Sequence, residues 1–384
     1  MKAVLFIHFV LFLSAFGIFS SNAAAQSSQQ ILKPIPDGYS LIDGDIVMPT
    51  NIVQAILKGN KTVLNDLAVQ PSTSDATVVN RLWTNGIIPF EFQNTDVLPS
   101  NCPNAIPTGS VSNTNRAAII SAMSVLENTA VIHFEQCAGA TCPSGSRVLI
   151  RDSSNDIIRD SNNNCVDGSQ NSSPVGMRGT QNIINITSWT GTSSQAIIMH
   201  ELLHTLGFYH EQSRADRNTF VTINCNNVQG GCSGTLFTSN FVIEGDGTAF
   251  GYYDFDSVMH YGQCAFSSGS NCPTDSTQTI TVNQPNTAQW QNAIGQRTHL
   301  STLDAATLLY LYPPNDMIFY DCTYNTLPQI GSFFRPFSQP TTAINNTPVG
   351  GTLVVLKECS FPNGTYNRNI TIKAAPGVTA GFGN

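Results

Sequence analysis

His200-Glu201-Leu202-Leu203-His204-Thr205-Leu206-Gly207-Phe208-Tyr209-His210-Glu211 decides how the rest of the chain is read. His200 and His204 are four residues apart, so on a helix they stand on one face and can grip a single metal ion. Glu201 follows the first of them, rotated about the helix axis, where a carboxylate can take a proton from a metal-held water. Gly207 can adopt the φ > 0 backbone that ends a helix abruptly. The chain then turns back, and His210 can arrive as a third imidazole. Such a triad leaves one coordination position open, as a catalytic zinc site requires and a closed structural site does not. The segment is otherwise apolar (Ala196, Ile197, Ile198, Leu202, Leu203, Leu206). Read as a plain buried helix, it would leave its imidazoles and carboxylate without partners, which is costly. The pattern therefore points to a zinc-dependent hydrolase.

Ser257-Val258-Met259-His260-Tyr261 is a second signal, with Met259 forty-nine residues beyond His210. The histidine pattern extended through Gly207 and His210, followed by such a methionine, resembles the metzincin peptidases. Three stretches carry a narrower resemblance, to the astacin family. They are Glu211-Gln212-Ser213-Arg214-Ala215-Asp216-Arg217-Asn218, Tyr253-Asp254-Phe255-Asp256 leading into Ser257, and Arg81-Leu82-Trp83-Thr84-Asn85-Gly86-Ile87-Ile88-Pro89-Phe90. Ile294-Gly295-Gln296-Arg297 and Leu300-Ser301 fit as well, particularly with bacterial-type members. The resemblance covers about residues 74–317. It implies an α+β fold, a two-lobed protease domain with a deep active-site cleft. It also implies endopeptidase action on protein or peptide substrates, with one Zn2+ per catalytic domain.

By that resemblance His200, His204 and His210 are the metal ligands and Glu201 is the general base. Met259 is the methionine of a tight turn packed beneath the metal. Tyr261 matches the family's switching tyrosine, which ligates zinc at rest and swings to the tetrahedral oxyanion. Glu211 is not a ligand; its counterpart forms a buried ion pair linked to the new N-terminus after activation. Gly44-Asp45-Ile46 resembles the family's zymogen switch, in which a carboxylate takes the place of water on zinc. An ordinary Asp-Gly-Asp turn is the plain alternative there, and Ile42 stands where the family more often has Phe. His260 is not needed as a ligand, and Arg178, Arg214, Asp216 and Arg217 read as structural or cleft-lining. The strand near Gly176-Met177-Arg178-Gly179 is implied to be the cleft's edge, binding an extended substrate by β-augmentation. Two features depart from the family. Asn218 replaces an acidic residue, and Ala130 and Thr192 stand at usual cysteine positions, so the common disulfide pattern does not transfer.

Only 11% of the 384 residues are charged and the net charge is −8. No Lys/Arg run exists, which argues against nucleic acid and acidic membrane surfaces as partners. Lys2, the apolar run from Ala3 to Phe19 and Ala23-Ala24-Ala25 read as a signal peptide with its cleavage site, rather than as a membrane anchor. Secretion into the extracellular space is the expectation. Ten cysteines fit an oxidising compartment. Sequence does not fix their connectivity; the simplest pairing joins Cys137/Cys142, Cys225/Cys232, Cys264/Cys272 and Cys322/Cys359, which leaves Cys102 with Cys165. Sequons at Asn60, Asn171, Asn185, Asn345, Asn363 and Asn369 agree with secretion.

Four segments follow: a signal at 1–25, a propeptide at 26–73, a catalytic domain at 74–317 and an extension at 318–384. No cysteine occurs in 26–73, which speaks against a cysteine-switch propeptide. Asn115 to Ala130 reads as a helix with Ala117, Ile120, Ala122 and Val125 on its apolar face. Val148-Leu149-Ile150 and Ile183-Ile184-Asn185-Ile186 read as strands, and Ser193 to Leu206 as the ligand-bearing helix. The extension's Gly351–Leu356, Gly364-Thr365-Tyr366 and Asn369–Ala374 resemble one coil of a parallel β-helix of carbohydrate-associated type. One coil cannot bury its own face. It is either an appendage or a contact for polysaccharide or matrix. The rival function is a catalytically silent zinc-containing protein that binds glycan or matrix. Glu201, the first residue such a protein would lose, is present.

Overall fold

Hydrophobic alternation builds the central sheet. In the computed structural model β4 (Ile87–Phe92) turns Ile88, Phe90 and Phe92 inward and leaves Ile87 outside. The structure describes residues 39–42, 45–49, 75–78, 81–98, 102, 106–159, 164–179, 181–244, 248–364 and 366–383. The expected signal at 1–25, most of 26–73 and the sequon at Asn60 lie outside them. Before β4 come a hairpin of β1 (Tyr39–Ile42) and β2 (Ile46–Pro49), and then β3 (Asp75–Val78). After it follow β5 (His133–Gln136), β6 (Arg147–Asp152), the small hairpin β7 (Ile157–Arg159) and β8 (Cys165–Asp167), and β9 (Gln181–Ile186). The main sheet has the order β5-β4-β6-β9, and all its pairings are parallel. Parallel strands need crossovers; a helix makes the one from β4 to β5, while the β7/β8 hairpin lies on the way from β6 to β9. The strands read from sequence at 148–150 and 183–186 lie within β6 and β9.

Helix α1 (Asn113–Glu127) starts at Ser112, whose Oγ accepts the Asn115 amide, 3.2 Å. Its buried face is Ile119, Ala122, Met123 and Leu126, the i, i+3, i+4, i+7 stripe of a surface helix. This corrects the sequence reading. Of its four named positions only Ala122 is buried, while Ile120 and Val125 are 42% and 37% exposed. The largest apolar side chains at proper spacing, Met123 and Leu126, set the face instead. The helix also ends earlier than Ala130, because the Thr129 amide turns back to the Leu126 carbonyl. Helix α2 (Ser194–Thr205) packs on α1 and is buried from Ile198 to its end.

The second half of the chain forms a separate core of Val221, Phe241, Tyr253, Phe255, Tyr261, Ile280, Val282 and Ile294. It contains β10 (Val221–Ile223), paired with β12 (Ile280–Val282), and the short helix α3 (Thr235–Asn240). Between them β11 (Thr248–Phe250) pairs antiparallel with β3. Val258 and Met259 belong to the first core and Tyr261 to the second. The turn at 257–261 therefore joins the two.

Helix α4 (Thr302–Leu311) returns to the first core, capped by Ser301 and Asp304 in a capping box. Beyond it β13 (Met317–Tyr320), β14 (Thr352–Val355) and β16 (Thr371–Ala374) stack parallel and in register, with helix α5 (Pro340–Asn346) before β14. A second wall pairs β15 (Cys359–Phe361) with β17 (Ala380–Phe382), also parallel. The boundary expected between 317 and 318 falls inside β13. Phe319, Phe333, Val354, Leu356 and Ala375 share one buried cluster with Leu308, Tyr310 and Leu311 of α4. All five cysteine pairs of the simplest pairing are closed in the structure.

Candidate metal centre

His200 and His204 lie one turn apart on α2, and Gly207, with φ 113°, lets the chain reverse after it. That reversal brings His210 back beside them. The His204 and His210 Nε2 atoms lie 3.1 and 3.2 Å from the Nε2 of His200. All three rings are at most 2% exposed. The His200 Nδ1 donates to the Val258 carbonyl at 2.8 Å and the His204 Nδ1 to the Phe208 carbonyl at 2.7 Å. A carbonyl can only accept, so both neutral rings turn lone pairs, not protons, toward the shared centre.

Asp45, in the loop between β1 and β2, completes the group. Its Oδ2 is 3.1 Å from the Nε2 of His200, and its Oδ1 is 3.2 Å from that of His210 and 3.5 Å from that of His204. Separations of this size are about those between neighbouring ligands of one ion bound at about 2 Å, the length zinc makes to imidazole and carboxylate. Lone pairs converging in a dry site repel one another unless a cation lies among them. The donor set therefore fits Zn2+, held by His200, His204, His210 and Asp45.

Charge follows the same geometry. Burial, and then the charge of Arg297, push His200 down to about 3. Burial lowers His204 too, against the pull of Asp45. For Asp45, burial works upward, but the surrounding imidazoles, His210 first among them, hold the carboxyl well below its usual range. Glu201 is 1% exposed, and burial followed by the nearby charge of Asp45 raises it well above the ordinary value. Its Oε2 has no hydrogen-bond partner among the described residues. A carboxylate held dry and unsatisfied beside a metal site is poised to accept a proton.

The remaining expected residues surround this centre. Met259 is 1% exposed in the turn below the histidines, and its carbonyl accepts the Glu211 amide at 3.2 Å. The Tyr261 ring lies 4.5 Å from that of His210, centroid to centroid. Glu211 accepts from Arg214 Nη1 at 3.0 Å and from the Asp254 amide at 2.7 Å, and burial raises it to about 8. Arg214, 1% exposed, also donates to both carboxylate oxygens of Asp216 and so ties the buried Glu211 to a partly exposed acidic group. His260 points away from the triad, accepting the Tyr253 hydroxyl at 2.7 Å through Nε2 while its Nδ1 donates to the Tyr261 carbonyl. Strand β3 runs beside the Glu211–Ser213 turn.

The expected edge strand is corrected. Gly176–Gly179 form no strand; Pro174 has no amide to give and Gly176 turns at φ 68°. The sheet ends at β9, and Ser172 pairs with Asn185 of that strand. The backbone contact with the β1/β2 hairpin is made instead at Ser173, whose amide binds the Asp45 carbonyl at 2.8 Å, with Ile46 alongside in parallel. Sequence reasoning missed Asp304, whose carboxylate lies behind the 257–261 turn. Its signal was the Ser301-x-x-Asp304 capping pattern.

A family model described as Astacin, a peptidase family, matches residues 76–313. The chain belongs to the astacin family. It is similar to the mouse Astacin-like metalloendopeptidase, 34% identical over 140 residues, which are 36% of this chain and 29% of that protein. Zinc metalloproteinase nas-15 of Caenorhabditis elegans is 37% identical over 141 residues, 36% of this chain and 22% of that one. The Low choriolytic enzyme of Oryzias latipes is 36% identical over 140 residues, 36% of this chain and 46% of that one. The chain thus spans less than half the length of each of these relatives. Among solved structures, High choriolytic enzyme 1, a hatching enzyme zinc-protease from Oryzias latipes, is 25% identical with a TM-score of 0.43. It covers 65% of this chain and 95% of its own.

Proposed function

We propose that this astacin-family chain is the latent precursor of a secreted zinc-dependent endopeptidase that hydrolyses peptide bonds in extended protein segments. The observation that carries the reading is the close grouping of His200, His204, His210 and Asp45, with the buried carboxylate of Glu201 next to His200 on the same helix. When bound, zinc supplies a Lewis acid that polarises a carbonyl and acidifies water. Everything else falls to the chain. The backbone at Ser173 receives an extended substrate. Glu201 takes a proton from the attacking water and hands it to the leaving amine. Tyr261 donates a hydrogen bond to the oxyanion.

Asp45 explains latency, because its carboxylate takes the coordination position that an attacking water needs. The hairpin carrying it packs β1 beside α3 and binds Ser173 on the other side. Cleavage near Ser74 or Asp75 releases it and frees a new amino terminus on β3, close to Glu211. Five disulfides support passage through an oxidising compartment. Among the described residues no helix is long and apolar enough to cross a membrane.

The test is hydrolysis of an unfolded protein by the processed chain, with and without a zinc chelator. Glu201→Ala keeps the ligands and loses about 10²–10⁴-fold in turnover. Tyr261→Phe keeps the metal and loses about tenfold or more in kcat. Near-normal turnover by Glu201→Ala, or a purified chain without zinc, contradicts the proposal and favours the silent binding protein.

A further inference from the structure

Of the two ligands on α2, His204 is oriented locally, by the Phe208 carbonyl four residues ahead of it. His200 is oriented by Val258, 58 residues away. That carbonyl can direct the imidazole only if the 257–259 turn is itself held. Backbone bonds tie the turn's far side, from Ser257 to the Asp254 carbonyl and from His260 to the Ser257 carbonyl. The Val258 amide, part of the segment that must stay fixed, has a different acceptor. It donates to Asp304 Oδ2 at 2.9 Å. The Ser257 hydroxyl donates to Asp304 Oδ1 at 2.7 Å, and the same Ser257 oxygen accepts the Met259 amide at 3.0 Å. Asp304 is 4% exposed. One buried carboxylate thus grips three consecutive residues of the turn, two directly and the third through Ser257.

Helix capping does not account for this arrangement. As a capping-box residue Asp304 needs only to accept the Ser301 amide, and that contact is the longest it makes, 3.3 Å. The helix end is secured independently by Ser301 Oγ, which accepts the Asp304 amide at 2.9 Å. The shorter, better-made bonds of the carboxylate go to the turn.

We propose that Asp304 is a positioning residue for the metal centre, acting through Ser257 and Val258 to hold His200 in its ligating orientation. It rests on the reading of His200 as a zinc ligand and adds a function to a helix cap that otherwise belongs only to the fold. Outer groups that orient a ligating imidazole commonly set metal affinity by 10–100-fold. Here the orienting group is a carbonyl and the carboxylate stands one peptide further back.

The test uses the full-length chain, with zinc affinity measured by chelator competition and site geometry by the visible absorption of the Co2+-substituted protein. Asp304→Ala should weaken zinc binding about 10–100-fold and change the Co2+ band intensities. Asp304→Asn retains an oxygen for the Val258 amide and should recover most of the affinity. Ser301→Ala removes the cap but not the clamp, and should cost stability while leaving zinc affinity and the Co2+ spectrum unchanged. Should Asp304→Ala not fold, Ser257→Ala cuts the clamp's second contact without touching the helix, and should weaken zinc binding and alter the spectrum in the same direction. The proposal fails if the folded clamp variants bind zinc and Co2+ as the parent does, or if Ser301→Ala reproduces their loss. Absence of zinc binding by the parent, by contrast, would strike the ligand assignment itself.

Discussion

Two of the parallel sheets, β5-β4-β6-β9 and β13-β14-β16, are built on different plans. In β5-β4-β6-β9 helices cover the strands, and inward side chains such as Ile88, Phe90, Val148, Ile150 and Ile184 are at most 1% exposed. In β13-β14-β16 the strands stack as coils, β14 is buried along most of its length, and β16 leaves Thr371, Lys373 and Ala374 exposed. The first sheet buries its inner face under α1 and α2 and so gives α2 a packed base. The second is finished by leaning on the first. Phe319, Val354 and Leu356 complete a core whose other half is α4. The base of the metal site comes from the buried inner face of the first sheet, and the coil borrows that core instead of creating its own.

Three experiments strain this comparison. Phe319 is fully buried and meets Tyr310 edge-on, 5.6 Å between centroids. Phe319→Ala should destabilise the whole chain by about 3–5 kcal/mol, read as one cooperative urea transition. A separate early transition would show instead that the coil folds as an independent unit. It also follows that cutting the chain after residue 322 will damage the astacin domain and not merely remove an appendage.

The second experiment concerns α4, the helix that both regions share. Burial, followed by the charge of Asp254, raises Asp304 to about 6. Its native value lies above the unfolded value, so the folded state binds the extra proton. Stability from this group is therefore fullest at acid pH and is lost as pH rises from about 4 to 6. A displacement of that size corresponds to about 3 kcal/mol. Comparing metal-free wild type with Asp304→Asn, which cannot ionise, isolates the effect. The wild type should lose ground to the variant across that window and hold level above it; a constant difference would mean the carboxyl titrates normally.

The smallest effect is expected at the coil's outer face. Phe382 stacks on Phe361 at 5.0 Å but is 61% exposed. Phe382→Ala should change stability by less than about 1 kcal/mol. A loss as large as that of Phe319→Ala would mean that the outer coil carries the same packing as the inner one.

The two regions also differ in how much the sequence discloses. Ligand spacing on a helix is a rigid pattern, so His200, His204 and the return to His210 at Gly207 can be read directly. The proximity of Asp45 comes only through resemblance, since nothing in Gly44-Asp45-Ile46 states which surface it meets. Face assignment on α1 fails because Ile120 and Val125 are as apolar as Ile119 and Leu126, and only packing against α2 selects between them. The irregular stretch 174–179 reads as a strand only by resemblance, and Pro174 and Gly176 argue against a ladder there. Asp304 escapes notice because its partners lie 46 and 47 residues away, and sequence spacing carries no signal across that gap.

One measurement bears most directly on the account: zinc content and peptide hydrolysis of the unprocessed chain, wild type against Asp45→Ala. With the histidines intact, both should carry one zinc. The wild type should be nearly silent, and the variant should cleave an extended peptide at least about tenfold faster without removal of 26–73, since the fourth position opens to water. A zinc-loaded Asp45→Ala precursor as silent as the wild type would contradict it.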